Sequence, residues 1–316
     1  MMKRSAMIAA AMLSLSSYGI LKDPDYLDAR RNGAETKIVL KVVDDMGVIV
    51  SNATVNIFFG MNFRPNGHMA TGETDETGIF TAVEKTCGDE IEISVAKSGY
   101  YPSKRKLCYA TMGKERLVKG GRWMPYCDVQ QMVLRKRRNP VETVRFWAFR
   151  YTKEVNSWIG FDIEKNDFVR PYGIGMVADF EVYIDWDGEW LPKYKGMAVE
   201  IRFVEPFSGY YKTPTNTESS FIGPYTADPA ASYAQNAKFS EQVRSDGEID
   251  ESHFNKSNCW VVRSRCKVDE KGKLISANYT VIHEITFACK KGGIAGFSII
   301  GFFNSTPNDT NLEPKR

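Results

Sequence analysis

The chain has 316 residues, 43% of them hydrophobic and 12% aromatic, which excludes a disordered or low-complexity protein and leaves room for two domains with separate cores. Its 42 Lys and Arg against 39 Asp and Glu give a net charge of +3, or about +1 (3 − 2) once Lys3 and Arg4 of the N-terminal segment are set aside. So even a mixture excludes the concentrated basic face that nucleic-acid binding needs.

Residues 1–19, MMKRSAMIAAAMLSLSSYG, begin basic and continue into an apolar run from Ala6 to Leu15 that is too short for a permanent membrane span. They predict a secretory signal peptide, an exported chain and no transmembrane segment after cleavage. Residues 20–35 follow as a linker. From Thr36, the alternation of Ile38, Leu40 and Val42 with their neighbours predicts a strand that stops at the turn Asp44-Asp45-Met46-Gly47. Ala53, Val55 and Ile57 form one face of the next strand. A polar loop from Gly60 to Gly72, containing Pro65-Asn66-Gly67, precedes a second turn at Glu73–Gly78. If Lys97-Ser98-Gly99 folds the strand Glu90–Ala96 back on Ser103–Tyr109, facing positions sum to about 195. Cys87 and Cys108 then face each other as a candidate disulfide.

These elements carry a recognisable pattern: Asp45-Xaa-Xaa-Val48, Ala53 then Val55, Gly72-Xaa-Thr74-Asp75-Xaa-Xaa-Gly78-Xaa-Phe80, and Lys97-Xaa-Gly99-Tyr100. The pattern resembles the carboxypeptidase regulatory-like, or transthyretin-like, domain over residues 36–137. Tyr109–Tyr126 departs from it as an insertion, and Asp128–Arg135 supplies its closing strand. The resemblance implies a Greek-key β-sandwich that is not itself catalytic, a rigid module for stability, spacing or adhesion. The basic cluster Arg135-Lys136-Arg137-Arg138 precedes Asn139-Pro140 and reads as a solvated linker.

Beyond Pro140, strands are predicted at Thr143–Tyr151, Val177–Asp185, Ala198–Phe203, Asn258–Val268, Leu274–Phe287 and Ile294–Phe303. On the penultimate one, Ile275, Ala277, Tyr279, Val281, Ile285 and Phe287 are assigned to one face. Cys259 and Cys266, seven apart on their strand, are assigned to opposite faces. Cys127 and Cys289 have no assignment. Residues 207–251, rich in Ser, Thr, Asn, Pro and Gly, predict a long surface loop. The fold class expected is therefore all-β: a transthyretin-like sandwich followed, over 140–316, by a larger antiparallel β-sandwich or jelly-roll-like domain. The runs Gly160–Glu164, Arg170–Phe180 and Asn304–Glu313 resemble exported bacterial proteins with a regulatory-like domain in front. That likeness implies a two-domain exported organisation and adds no chemistry.

Catalytic motifs are missing from the sequence. His68, His253 and His283 lie far apart, no Cys-Xaa-Xaa-Cys occurs, and neither a nucleophile elbow nor a phosphate loop is present, so neither a metal nor a cofactor is expected. Asp185-Trp186-Asp187-Gly188-Glu189-Trp190 reads either as a calcium or sugar site or as a hairpin turn flanked by tryptophans. Trp186, Trp190, Tyr194, Tyr210 and Tyr211, with Tyr225, are the candidate ligand-binding aromatics. The leading reading is a non-catalytic binding or structural protein of the cell envelope that recognises a glycan or protein partner through loops of the second domain. A secreted glycan hydrolase with paired carboxylates competes with it, and a subunit joined to others through exposed sheet edges is the third possibility.

Overall fold

The computed structural model describes residues 23–60, 68–109, 117–187, 189, 195–243, 249–290 and 292–315. It is almost entirely β, built from strands that pack as sandwiches. Two compact units emerge: Met1–Arg137 with Glu218–Ser220, and Arg138–Thr217 with Phe221–Arg316. The expected signal peptide lies outside the described residues.

The linker expected at 20–35 holds a helix, α1 (Pro24–Asn32). Asp23 caps it by accepting from the Asp25 N–H, Pro24 opens it, Arg30 and Arg31 sit in its last turn, and Gly33 at φ 80° ends it. The first unit then runs through β1 (Ala34–Asp44), β2 (Thr54–Phe58), β3 (Met69–Glu73), β4 (Ile79–Thr86), β5 (Glu90–Ala96), β6 (Tyr100–Tyr101), β7 (Ser103–Cys108), β8 (Val118–Lys119), β9 (Arg122–Trp123) and β10 (Val129–Lys136). One sheet has the order β6-β10-β1-β9-β8 with β4 also on β1, and the other β3-β2-β5-β7. Strand β10 lies parallel to β1, with Val42 opposite Met132, so the chain's closing strand returns beside its first. Between the sheets pack Leu40, Val42, Val55, Ile57, Ile91, Ile93 and Met132, all buried.

The quoted motif residues have local reasons. Asp44 accepts from the N–H groups of Met46 and Val48, and Asp75 from those of Thr77 and Ile79, which closes both predicted turns. Thr74 is buried, donating to the Val50 carbonyl and accepting from the Ala53 N–H. Gly78, at φ 75°, passes so close to β1 that a Cβ would stand 2.8 Å from the Val42 carbonyl oxygen. In the insertion, Trp123 is fully buried, stacks on Tyr109 at 5.5 Å and donates to the Thr86 carbonyl.

The hairpin register differs from expectation. Glu90, not Cys87, faces Cys108, so facing positions sum to 198. Tyr100 and Tyr101 leave this sheet to pair with Lys136 and Arg135 of β10, which lengthens the connection beyond a three-residue turn and shifts the register by three. No disulfide forms among the described residues. Nor is the basic cluster a loose linker, since Arg135 and Lys136 belong to β10 and Arg137 stacks over Tyr101.

In the second unit follow β11 (Val144–Thr152), β12 (Trp158–Asp162), β13 (Asp167–Phe168), β14 (Phe180–Asp185), β15 (Gly196–Arg202), β16 (Gly209–Pro214), β17 (Asn236–Val243), β18 (Ile249–Ser252), β19 (Asn258–Val268), β20 (Leu274–Lys290) and β21 (Ile294–Asn304). An antiparallel sheet β11-β21-β20-β19-β16 faces a second one, β13-β12-β14-β15-β17-β18, across a core rich in phenylalanine. Much of the expected loop 207–251 is thus strand: β16, β17 and β18 fall inside it. Its polar composition misled because residues 221–235, together with 304–314, lie over the outer face of the five-stranded sheet, covering Val261, Ala277, Tyr279 and Val281.

Two bulges reset the alternation that sequence periodicity assumes. One, between Ile282 and Glu284, leaves Ala277, Tyr279 and Val281 on the outer face but turns Ile285 and Phe287 into the inter-sheet core. The other, between Ser264 and Lys267, puts Cys259 and Cys266 beside the same outer cluster rather than on opposite faces.

Candidate functional site

Most of the aromatics expected to bind a ligand are structural. Trp186 is 1% exposed in the inter-sheet core, its indole N–H donating to the Glu189 carbonyl and its backbone bracketed by the Asn156 side chain. Tyr210 is buried and stacks on Trp260 at 3.7 Å. Tyr211 is half-buried, its hydroxyl accepting from the Asp228 N–H and its ring meeting Tyr233 edge-on. Tyr225 carries Arg138 over its ring at 3.9 Å. Trp190 and Tyr194 lie outside the described residues.

The motif runs converge on an arginine. Arg265 sits in the β19 bulge at φ 51°, and from there its guanidinium reaches three carboxylates. It donates to Asp162 at 2.9 Å, to Glu164 at 2.6 Å and to Asp179 at 2.9 Å. Asp162 also accepts from the N–H groups of Lys165, Met176 and Val177, and Asp179 from Ile163 N–H and the Ser264 hydroxyl. Burial pushes the Asp179 carboxyl up from its ordinary value, against the pull of Arg265, Ser264 and the Ile163 N–H, and both its oxygens face donors. The hydrogen bond from Arg265 holds Glu164 below the usual carboxylate range. Every carboxylate in this cluster is occupied with locking β12 and the 162–179 segment to β19, and Asp162 and Asp179 are closed to solvent. Their chemistry is that of a strut rather than of an acid–base pair.

The third run is also structural. Glu313, buried, accepts from the N–H groups of Arg138 and Asn139, while the Asn304 amide donates to Asp309 and to the Asn311 carbonyl. Histidines stay dispersed, with His68 on Glu84 and His253 on Glu251. Among the described residues no group of His, Cys, Asp and Glu could hold a metal.

What the structure exposes instead is the outer face of β11. Phe146 points into the core, so Arg145, Trp147, Phe149 and Tyr151 point out. Trp147 is 69%, Tyr151 47% and Phe149 36% exposed. The neighbouring strand makes room for them: Tyr151 lies opposite Gly296, where a Cβ would stand 2.8 Å from Phe149 Cε1 and 2.9 Å from Tyr151 Cε1. Both rings therefore lean over the bare backbone, their centroids 5.7 Å apart and their planes within 23°. Lys290 Nζ stands 3.7 Å from the Tyr151 centroid, and Arg145 approaches the Trp147 ring at 5.7 Å. Farther in, β20 contributes Glu284, Thr286 and Ala288 to the same rows, with Glu284 paired to Lys256. The segments that cover this sheet over β19 and β20 do not shelter these rings. A contiguous aromatic surface with charged margins is left, the kind of patch that marks a binding surface.

On the first unit, a shallow groove of about 240 Å³ crosses the outer face of the β3-β2-β5-β7 sheet. Register aligns Met69, Phe58, Glu92 and Lys106 in one row and Thr71, Asn56, Ser94 and Lys104 in the next. Of its charged side chains, Lys106 pairs with Glu90.

Sequence reasoning placed the binding aromatics in loops and so passed over β11. The available signal was parity: in Val144–Thr152 the large aromatics Trp147, Phe149 and Tyr151 share one face, whereas Phe146 alone takes the other.

No family model and no curated protein matches this sequence. Among solved structures, it is similar to 3-chlorocatechol 1,2-dioxygenase of Rhodococcus opacus 1CP, with 14% identity, a TM-score of 0.25 and coverage of 33% of this chain and 60% of that one. It is similar also to catechol 1,2-dioxygenase of Acinetobacter radioresistens, with 13% identity, a TM-score of 0.27 and coverage of 35% and 55%. For chlorocatechol 1,2-dioxygenase of Pseudomonas putida the values are 12%, 0.24, and 34% and 61%. The chain thus spans less than two thirds of each of these enzymes.

Proposed function

We propose that this chain is an exported, non-catalytic binding protein of the cell envelope that holds a glycan on the outer aromatic face of β11. The observation that carries the reading is the exposure of Trp147, Phe149 and Tyr151 on one rigid strand. Flat rings on a sheet offer apolar faces to the C–H faces of pyranose rings at little entropic cost, while Arg145, Lys290 and Glu284 at the margin supply hydrogen bonds for hydroxyls. The first unit serves as a rigid spacer, in keeping with its resemblance to the regulatory-like domain. Export rests on the basic and apolar N-terminal run alone. A glycan hydrolase has less support, because the most buried carboxylates, Asp162 and Asp179, are occupied by Arg265 and backbone N–H groups.

The test is a panel of cell-wall and exopolysaccharide glycans presented to the full chain and to the double variant Trp147→Ala, Tyr151→Ala, with circular dichroism as a folding control. Retention of at least one glycan, weakened about tenfold or more in the folded double variant, supports the reading. Retention of none by the native chain, or equal retention by both, overturns it.

A further inference from the structure

We propose that β11 is also a homotypic docking edge, through which two copies of this chain pair antiparallel about Ala148 and join their five-stranded sheets into one. This rests on the binding reading above and deepens it, since the pairing sets two aromatic rows side by side on one surface.

The argument begins with the edge itself. In its sheet β11 ends the order β11-β21-β20-β19-β16 and pairs with β21 alone. It is nine residues long, contains no proline, and its register against β21 runs from Val144 to Thr152 without a shift. Such an edge lacks the usual protections of shortness, bulge or proline. The other edges are shorter or partly covered: β6, β8 and β13 have two residues each, β18 four and β3 five, β7 carries a bridge between Ser103 and Ser219, and β16 one between Tyr210 and Ala234.

The sequence of the strand then selects the occupant. In an antiparallel pair, facing residues share a side of the sheet, so two copies must meet with positions summing to an even number. A sum of 296 brings all nine residues into register. Arg145 then faces Tyr151 of the second copy and Trp147 faces Phe149, and the two-fold axis repeats both pairs. On the inner side Phe146 faces Arg150. No like charges meet, every exposed ring gains a ring or a cation, and the backbone groups left open by the edge are satisfied. The strand is self-complementary, which is what an isologous contact requires. A ladder of this size makes a small interface, so association should depend on concentration.

Sedimentation velocity of the full chain over a range of concentrations, with circular dichroism as folding control, tests this. The native chain should shift from monomer to dimer. Trp147→Lys and Phe149→Glu, each on the exposed face, should weaken the dimer about tenfold or more, and their equimolar mixture should recover association because Lys at 147 then faces Glu at 149. A native chain that stays monomeric throughout, a dimer indifferent to both folded variants, or a mixture that does no better than either alone overturns the pairing. Glycan retention by a monomeric native chain would leave the binding reading standing without it.

Discussion

Arg265 is the residue on which the second unit's polar interior depends. A guanidinium is the right group because its fork can serve Asp162, Glu164 and Asp179 at once, and it keeps its charge at any pH the protein will meet. Breaking such a cluster leaves two buried carboxylates without their cation. Arg265→Ala is therefore expected to destabilise the protein by about 3–5 kcal/mol in urea unfolding, and Arg265→Lys to rescue only part of that loss. A change below about 1 kcal/mol for Arg265→Ala would contradict the assignment. The carboxylates around it respond to pH with opposite signs. Glu164 is held below its ordinary 4.5, so its contribution is present above that value and is lost as pH falls through the lowered one. Asp179 is pushed above its ordinary 3.8, so its contribution is largest below that value and declines as pH rises through the raised one. Glu164→Gln should accordingly flatten the fall in melting temperature below pH 4.5, and Asp179→Asn should leave that fall in place.

Strands β20 and β21 show how much a single bulge decides. Next to the bulge between Ile282 and Glu284, a Cβ on Gly301 would stand 1.9 Å from the Val281 carbonyl oxygen and 2.7 Å from the Phe146 ring. A backbone atom cannot step aside as a side chain can. Gly301→Ala should thus cost about 2 kcal/mol or more, measured as a shift of the unfolding midpoint, whereas an effect within about 0.5 kcal/mol would mean that the strands slide past each other freely. This bulge also explains what periodicity could and could not reveal. Strand Leu274–Lys290 was legible because apolar residues alternate from Ile275 to Val281, and Asn258–Val268 because of its apolar run Cys259–Val262. Face assignments beyond Ile282 and beyond Ser264 were not, because one inserted residue inverts parity without leaving a compositional mark. The hairpin register failed for a related reason: nothing local to Lys97–Gly99 says that Tyr100 and Tyr101 will cross to β10. The candidate site on β11 was not read from the sequence: the shared parity of Trp147, Phe149 and Tyr151 was there to see, but only the path of residues 221–235 and 304–314 decides which part of the outer face stays bare.

At the scale of the whole chain, the polar runs that stand out in the sequence are framework, and the outward face of β11 is aromatic. Asp162, Asp179, Asn304 and Glu313 hold segments in place, while Trp147, Phe149 and Tyr151 face outward. Cysteine placement follows the same division and makes it measurable. Cys259 is fully buried beside Val261, and desolvation pushes the Cys266 thiol up to about 11, whereas Cys127 is exposed at φ 67°. Only the thiolate reacts with alkylating reagents, and at pH 8 a thiol with a pKa of about 11 is ionised to roughly one part in a thousand. Iodoacetamide at pH 8 followed by peptide mass mapping should therefore modify Cys127 within minutes, with Cys259 and Cys266 modified only after denaturant is added. Labelling of Cys266 at the rate of Cys127 in the native chain would show that the outer cluster over β19 opens, and with it that segments 221–235 and 304–314 are a loose cover rather than a packed layer.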